Sequence, residues 1–116
     1  FLQAVRVKPH PNIVNVRFAH IMGFCTEGEE YYCFEEFVVG TNLDELIDNG
    51  KGDLYRGTPE EVQGRILSYA IQINRGLGHI HRCGVLHQDL KAANIMVRSD
   101  GTALITDFGF ACLGRL

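Results

Sequence analysis

The stretch His87-Gln88-Asp89-Leu90-Lys91-Ala92-Ala93-Asn94-Ile95-Met96-Val97, with Ala103-Leu104-Ile105-Thr106-Asp107-Phe108-Gly109 shortly after it, decides the fold of this chain. Ile95-Met96-Val97 and Ala103-Leu104-Ile105 are apolar runs of strand length. Between them lies Ser99-Asp100-Gly101, whose Asp-Gly pair favours a tight hairpin turn. Antiparallel pairing of the two runs has a chemical consequence. Asp89 and Asn94 precede the first strand and Asp107 follows the second, so all three gather at one edge.

Three oxygen-bearing side chains at one edge, with Lys91 between the first two, suit a phosphate-bearing substrate and a divalent metal. Carboxylate and amide oxygens are hard donors that magnesium accepts, and a lysine neutralises charge on a phosphoryl group in transfer. Other metal chemistry finds less support. Cys25, Cys33, Cys83 and Cys112 contain no C-x-x-C pair and read as free, mostly buried thiols. His79 and His81, at i and i+2, fall on different sides of a helix, so a metal site of protein ligands alone is rejected. Glu29-Glu30 and Glu35-Glu36 invite a paired-carboxylate hydrolase, but strand neighbours point to opposite faces. A solvated or hinge role is preferred for them.

Upstream of the stretch, the period changes near residue 41, with strands before it and helices after. Pro9-His10-Pro11-Asn12 forces a turn, because two prolines fix φ. Val14 to Phe24 and Tyr31 to Val39, rich in aromatic and β-branched residues, predict an antiparallel hairpin turning at Glu27-Gly28-Glu29. Thr41 or Asn42 caps a short helix carrying Leu43, Leu46 and Ile47, Asn49-Gly50 stops it, and the chain to Gly57 reads as loop. A long helix follows from Pro59 to Arg82, with Thr58 as N-cap, Pro59 at the first helical position and Glu61 completing a capping box. Val62, Ile66, Tyr69, Ala70, Ile73, Leu77 and Ile80 form one apolar stripe for a core, and Gly84 ends the helix. Gly76 and Gly78 inside it each lower helix stability by roughly 1 kcal/mol relative to Ala, which implies close backbone approach.

The bulk numbers agree with one small folded domain. Of the 116 residues, 46% are hydrophobic and 22% charged, and 11 basic against 14 acidic residues give a net charge of −3 without single-sign runs. That balance suggests neither nucleic-acid nor membrane-surface binding. No apolar run approaches the roughly 18 residues of a membrane span, and Phe1-Leu2-Gln3-Ala4 does not resemble a signal peptide, so an intracellular, cytoplasmic setting is expected.

On these residues the chain resembles the protein kinases. Its His87-Gln88-Asp89-Leu90-Lys91-Ala92-Ala93-Asn94 is similar to the family's catalytic loop H-R-D-L-x-x-x-N, and Asp107-Phe108-Gly109 to its D-F-G. His10 to Val14 resembles the turn after helix C, Tyr31 to Gly40 the fifth strand running into the hinge, and the helix ending at Val85 helix E. The resemblance implies an α+β, kinase-like fold in part. Residues 1–34 would be a small-lobe remnant, 35–41 the hinge, and 42–116 the first part of the large helical lobe. It implies ATP and Mg2+ as cofactors and a protein substrate with a Ser/Thr acceptor. Asp89 would accept or orient the proton of that hydroxyl, Lys91 would contact the γ-phosphate, and Asn94 and Asp107 would hold the metal. Glu36 and Val38 would offer backbone groups to the adenine, and the run Ala92 to Val97, with Met96, would lie beneath it. A lysine at position 91 is similar to serine/threonine rather than tyrosine kinases. His87 and Phe108 resemble members of the family's internal hydrophobic spine, a structural role.

Two departures stand out. Gln88 occupies the place of an arginine that pairs with an activation-loop phosphate, and glutamine has no charge for that task. Glu35 falls at the position behind the adenine where apolar or small residues are usual, which makes the back of that pocket polar. A glycine-rich loop, a strand-three lysine and an A-P-E segment are missing. Val5-Arg6-Val7-Lys8 does not supply that lysine, because His10-Pro11-Asn12 follows with no room for a helix. The first residue is not Met, and the expectation is a kinase-domain fragment that is inactive alone. Alternatives are a pseudokinase or truncated regulator, and a small-molecule phosphotransferase of kinase-like fold.

Overall fold

Pro9 to Asn12 make the expected turn, closed by the Ile13 N–H donating to the His10 carbonyl at 3.1 Å. The computed structural model describes residues 7–25, 28–108 and 112–113; the rest, including Glu27 of the expected turn and Gly109, lie outside the described residues. Strands β1 (Val16–Cys25) and β2 (Gly28–Glu35) pair antiparallel, with Val16 opposite Glu35 and Cys25 opposite Gly28. Gly28 and Glu29 therefore belong to the strand, because the β-forming run extends the ladder into the expected turn. Residues 36–40 have no regular structure. Phe37 and Val39 are 90% and 77% exposed, whereas Val38 packs against the core.

Strand β3 (Thr41–Asn42) leads into α1 (Leu43–Ile47), where the Asn42 side-chain oxygen accepts the Glu45 N–H at 2.8 Å. That cap follows the ordinary preference for Asn ahead of a first helical turn. The helix stops at Asp48, already left-handed at φ 36°, before Asn49 and Gly50 at 52° and 84°. Residues read as plain loop include a 3-10 turn, Asp53–Tyr55, with Leu54 buried. The reason lies in the long helix that follows: Arg65 donates to the carbonyls of Asp53, Leu54 and Arg56 at 3.0, 2.7 and 2.7 Å, satisfying acceptors that a short turn leaves open.

Helix α2 (Pro59–Arg82) has the expected ends. The Thr58 hydroxyl accepts the Glu61 N–H at 3.2 Å, and Gly84 at φ +76° follows the Cys83 cap. Its two glycines differ. A Cβ on Gly76 would come within 2.8 Å of the Asn12 carbonyl oxygen, so close approach is real there. A Cβ on Gly78 would meet only the flexible end of Arg82, at 3.3 Å, so the expectation fails at that position. The stripe is also only half a core: Ile80 is fully buried, but Ile66 is 44% exposed.

After α2 come β4 (Val85–Leu86), β5 (Ile95–Val97), β6 (Ala103–Ile105) and β7 (Cys112–Leu113). Strands β5 and β6 pair antiparallel with Ile95 opposite Ile105. The Arg98 N–H donates to the Thr102 carbonyl and Gly101 stands at φ +86°, which makes a three-residue loop closed by a bulged glycine. Strand β3 joins the outer side of β5, giving the order β3-β5-β6, while β4 pairs with β7. Neither pairing of two-residue strands is visible in the sequence. Ile13 bridges Ile105 in parallel, and Val14 N–H and Asn12 C=O bond the Ile105 backbone at 2.9 Å each. The core thus lies between residues 13 and 14, the β5–β6 hairpin and the C-terminal half of α2, with Ile80, Val85, Ile95, Ile105 and Phe108 sealed from solvent.

A polar clasp holds these parts in register. The Gln72 side-chain oxygen accepts from Asn12 Nδ2 at 3.0 Å and from the Ala103 N–H at 2.7 Å. Its amide nitrogen donates to Ser68 Oγ and the Gly101 carbonyl. The buried Asn12 Nδ2 thereby finds acceptors in Gln72 and the Ala103 carbonyl, as a low-dielectric interior requires. Among the described residues no helix is long and apolar enough to cross a membrane.

Candidate active site

Pairing of Ile95 with Ile105 sets Asn94 beside Thr106, as the hairpin reading expects. The Asn94 carbonyl accepts the Thr106 N–H at 2.9 Å and its hydroxyl at 3.1 Å. The buried Asn94 side chain then turns to Asp89, donating from Nδ2 to the backbone carbonyl at 2.9 Å and to Oδ2 at 3.1 Å. The other carboxylate oxygen, Oδ1, lies 3.5 Å from Lys91 Nζ. Asp89, Lys91 and Asn94 are therefore one bonded unit. Lys91 is 58% exposed, which discounts the pair as a source of stability and leaves the ammonium accessible to a substrate.

His87 supports this unit from below. Its Nδ1 accepts the Asp89 N–H at 3.1 Å, which places the ring proton on Nε2, the atom 2.8 Å from the Thr106 carbonyl. The ring is buried and meets Phe108 edge-on with centroids 5.0 Å apart, so both are structural, as the sequence suggested. Gln88 and Asp107 flank the core of the site in left-handed backbone, at φ 67° and 58°. That conformation is unfavourable by about 1 kcal/mol for a residue with a Cβ and persists where neighbours hold it. Gln88 is exposed and Asp107 lies at the surface beside the buried Phe108.

The neighbouring carboxylates Glu35 and Glu36 diverge, as strand geometry demands. Glu36 Oε1 accepts the Asn15 N–H at 3.0 Å and Oε2 lies 3.7 Å from Arg98, while the Glu36 N–H donates to the Asn15 carbonyl. Only its carbonyl is then left as a backbone group to offer. Glu35 goes the other way. It is half-buried, and the backbone N–H groups of Phe108 and Asp107 bear on its carboxylate. Burial raises its pKa above the ordinary range and the Asp107 charge adds to this, with the backbone N–H groups of Phe108 and Asp107 opposing. The sequence marked Glu35 as unusual but carried no sign of the Asp107 and Phe108 groups that shift its pKa, which lie more than seventy residues away along the chain. Thr106 is a second supporting residue that the motif reading passed over.

Met96 is half-buried and sits in register with Asn42 on one side and Leu104 on the other. Glu36 and Val38 are not bonded to the Asp89 unit. Glu36 is tied through Arg98 to the turn end of the hairpin, whereas Asn94 and Thr106 lie at the opposite end. The site so divides into two ends separated by β5. As for a metal, Asn94 commits Nδ2 to Asp89, which leaves its amide oxygen as the donor atom, and Asp107 supplies a carboxylate. Among the described residues no group of three or more His, Cys, Asp or Glu gathers into a metal cage. Two hard oxygens suit magnesium that takes its remaining ligands from phosphate and water.

The chain is similar to known protein kinases. The family model described as Protein kinase domain matches residues 2–115. The serine/threonine-protein kinase Nek3 of Mus musculus is 37% identical over 105 residues, covering 90% of this chain and 18% of that protein. Cyclin-dependent kinase-like 2 of Oryctolagus cuniculus is 36% identical, covering 88% of this chain and 16% of its own length. The tyrosine kinase receptor Cad96Ca of Drosophila melanogaster is 26% identical, with 90% and 14% covered. The chain thus spans less than a fifth of the length of these relatives.

Proposed function

The chain belongs to the protein kinase domain family, and from that premise we propose that it carries the catalytic floor for ATP-dependent phosphoryl transfer to serine or threonine hydroxyls of protein substrates. The observation that supports this best is the bonded unit of Asp89, Lys91 and Asn94 at the end of the hairpin from which Asp107 departs. Asp89 is the group for the substrate hydroxyl. Asn94 Nδ2 and the Asp89 backbone bond to His87 fix the carboxylate's position, so it meets an incoming hydroxyl without reorganising. Lys91 stands beside it, exposed, where its charge would neutralise a γ-phosphate.

Asn94 and Asp107 would hold Mg2+, which when bound neutralises the phosphate oxygens. Residues 36–40 act as the hinge, with the Glu36 carbonyl and the Val38 backbone facing the adenine. Met96 on β5 lies under it. Three strand residues separate the two ends, about 10 Å of β-structure, room for a nucleotide lying along β5. Asp107 and Asn94 thereby meet phosphates at one end while Glu36 and Val38 meet the base at the other.

Replacing Asp89 by Asn in the full-length protein that carries this chain tests the reading. Phosphotransfer to serine and threonine peptides is expected to fall by roughly a hundredfold or more, with ATP affinity changed by less than about twofold. Undiminished transfer, or transfer to tyrosine peptides alone, would contradict it. A second reading, a nucleotide-binding regulator without transferase activity, draws on Gln88, a neutral side chain in the exposed left-handed position. ATP binding with no transfer by the wild-type protein would favour it.

A further inference from the structure

Phosphoryl transfer as proposed leaves without a task a cavity at the turn end of the β5–β6 hairpin, opposite the end that carries Asn94. Its volume is about 390 Å3, and it lies where residues 39–41, α1, the 3-10 turn, α2 and the hairpin turn meet. That size falls in the range of about 300–1,000 Å3 usual for ligand sites. The floor is apolar: Leu54 and Val97 are buried, and Leu46 and Tyr69 pack against the core. Val39, 77% exposed, adds an apolar wall that the fold leaves uncovered. Glu36, Val38 and Met96, read as facing the nucleotide base, do not line it.

The rim is cationic. Arg56, Arg65 and Arg98 line it against one carboxylate, Asp53, in a chain whose own net charge is −3. The three guanidinium groups differ in what they have left to give. Arg65 spends its donors on the carbonyls of Asp53, Leu54 and Arg56, and so holds the turn that presents Arg56. The Arg56 side chain is exposed and has no ion pair or hydrogen bond among the described residues. Arg98 lies 3.7 Å from Glu36, beyond hydrogen-bond length, so its planar fork can still take a carboxylate. The wall at residue 40 is preformed, because no Cβ would fit between Gly40 and the Val97 backbone.

We propose that this cleft docks an acidic segment of a protein partner, with apolar side chains on Leu46, Leu54 and Val97 and carboxylates at Arg56 and Arg98. Charge complementarity selects this occupant. Guanidinium groups with open donors bind carboxylate oxygens in pairs, and the apolar floor suits a hydrocarbon side chain, a combination that a short peptide of mixed leucine and glutamate supplies. A basic segment would meet three like charges at the rim. The inference stands apart from the reading of the catalytic floor, since none of Asp89, Lys91, Asn94 and Asp107 lines the cleft.

The test uses the full-length protein that carries this chain. Its probe is a fluorescein-labelled peptide of alternating leucine and glutamate without Ser, Thr or Tyr, and binding is read by fluorescence anisotropy. The peptide is expected to bind, and raising NaCl from about 0.05 M to about 0.5 M should weaken it severalfold. Arg56→Glu reverses an exposed charge at the rim and is expected to weaken binding roughly tenfold or more. Ser99→Glu adds a carboxylate on the exposed hairpin turn and is expected to weaken it roughly threefold. Both positions are exposed, so the melting temperature stays at the wild-type value in each variant. Lysine in place of glutamate should abolish binding, and glycine in place of leucine should weaken it roughly tenfold. No binding of the leucine–glutamate peptide, binding that both variants leave unchanged, or equal binding of the lysine peptide overturns the proposal. Equal binding of the glycine peptide overturns it too, because the cleft would then read charge alone.

Discussion

Along α2 the apolar side chains recur at the same three- and four-residue spacing from Val62 to Ile80, yet Ile66 is 44% exposed and Ile80 is sealed at 0%. The C-terminal half meets partners. Gly76 lies against the Asn12 carbonyl, Gln72 bonds Asn12 and Ala103, and Ile80 joins the cluster of Ile13, Val14 and Ile105. Tyr69 is the first residue of the stripe to pack against the core, and the first turns of the N-terminal half lie against the 3-10 turn. There Tyr55, Pro59, Val62, Ile66 and Leu67 line a shallow, mostly apolar groove of about 520 Å3. Periodicity thus fixes the side of a helix that seeks burial, while the length actually buried depends on what the rest of the chain brings to it.

Truncation should split the halves most sharply. Ile80→Ala is expected to destabilise the protein by about 2–5 kcal/mol, and Ile66→Ala by less than about 1 kcal/mol, as measured by urea unfolding. Equal losses would break the comparison. The glycines sharpen it further. Gly76→Ala places a methyl 2.8 Å from a backbone oxygen and should destabilise by roughly 1–3 kcal/mol. Gly78→Ala, meeting only the movable Arg82 side chain, should stabilise by about 0.5–1 kcal/mol through better helix propensity. A loss at Gly78 matching that at Gly76 would show that the whole C-terminal half is closely packed.

The smallest effect concerns pH at the same buried end. His10 stacks on His79 with centroids 4.8 Å apart, and its Nδ1 accepts the Asn12 N–H at 3.0 Å, a bond that protonation destroys. Its pKa is lowered first by burial and then by His79, Arg82 and Arg75. His79 Nε2 in turn lies 2.8 Å from the Lys8 carbonyl. The folded chain therefore binds this proton less readily than the unfolded one. Stability is complete above about pH 6.5 and declines as pH falls through the window below it. Unfolding midpoints taken at about pH 7.5 and about pH 5.5 should show a modest drop that His10→Gln removes. An unchanged drop in that variant would assign the effect to another group.

Much of the site was legible because its chemistry is local in sequence. Asp89, Lys91 and Asn94 lie within one short loop, and the Asp-Gly turn announces the pairing that carries Thr106 and Asp107 to them. The caps at Thr58 and Asn42 were legible for the same reason, since a side chain bonding its own next turn needs no distant partner. Less legible were contacts whose partners are backbone atoms far along the chain. Arg65 on three turn carbonyls and Ile13 bridging Ile105 leave no pattern at either end.

The sequence by itself determined the family, the α+β class, the hairpin edge that gathers the acidic and amide groups, and both ends of the long helix. These rest on short-range rules: turn chemistry, capping and period. Tertiary structure alone decided that α2 is buried over one half, that Gly76 and not Gly78 touches backbone, and that β3 and residues 13 and 14 extend the sheet. Those outcomes depend on distances between segments far apart in the chain, set by how a whole core packs at once, and no local pattern encodes them.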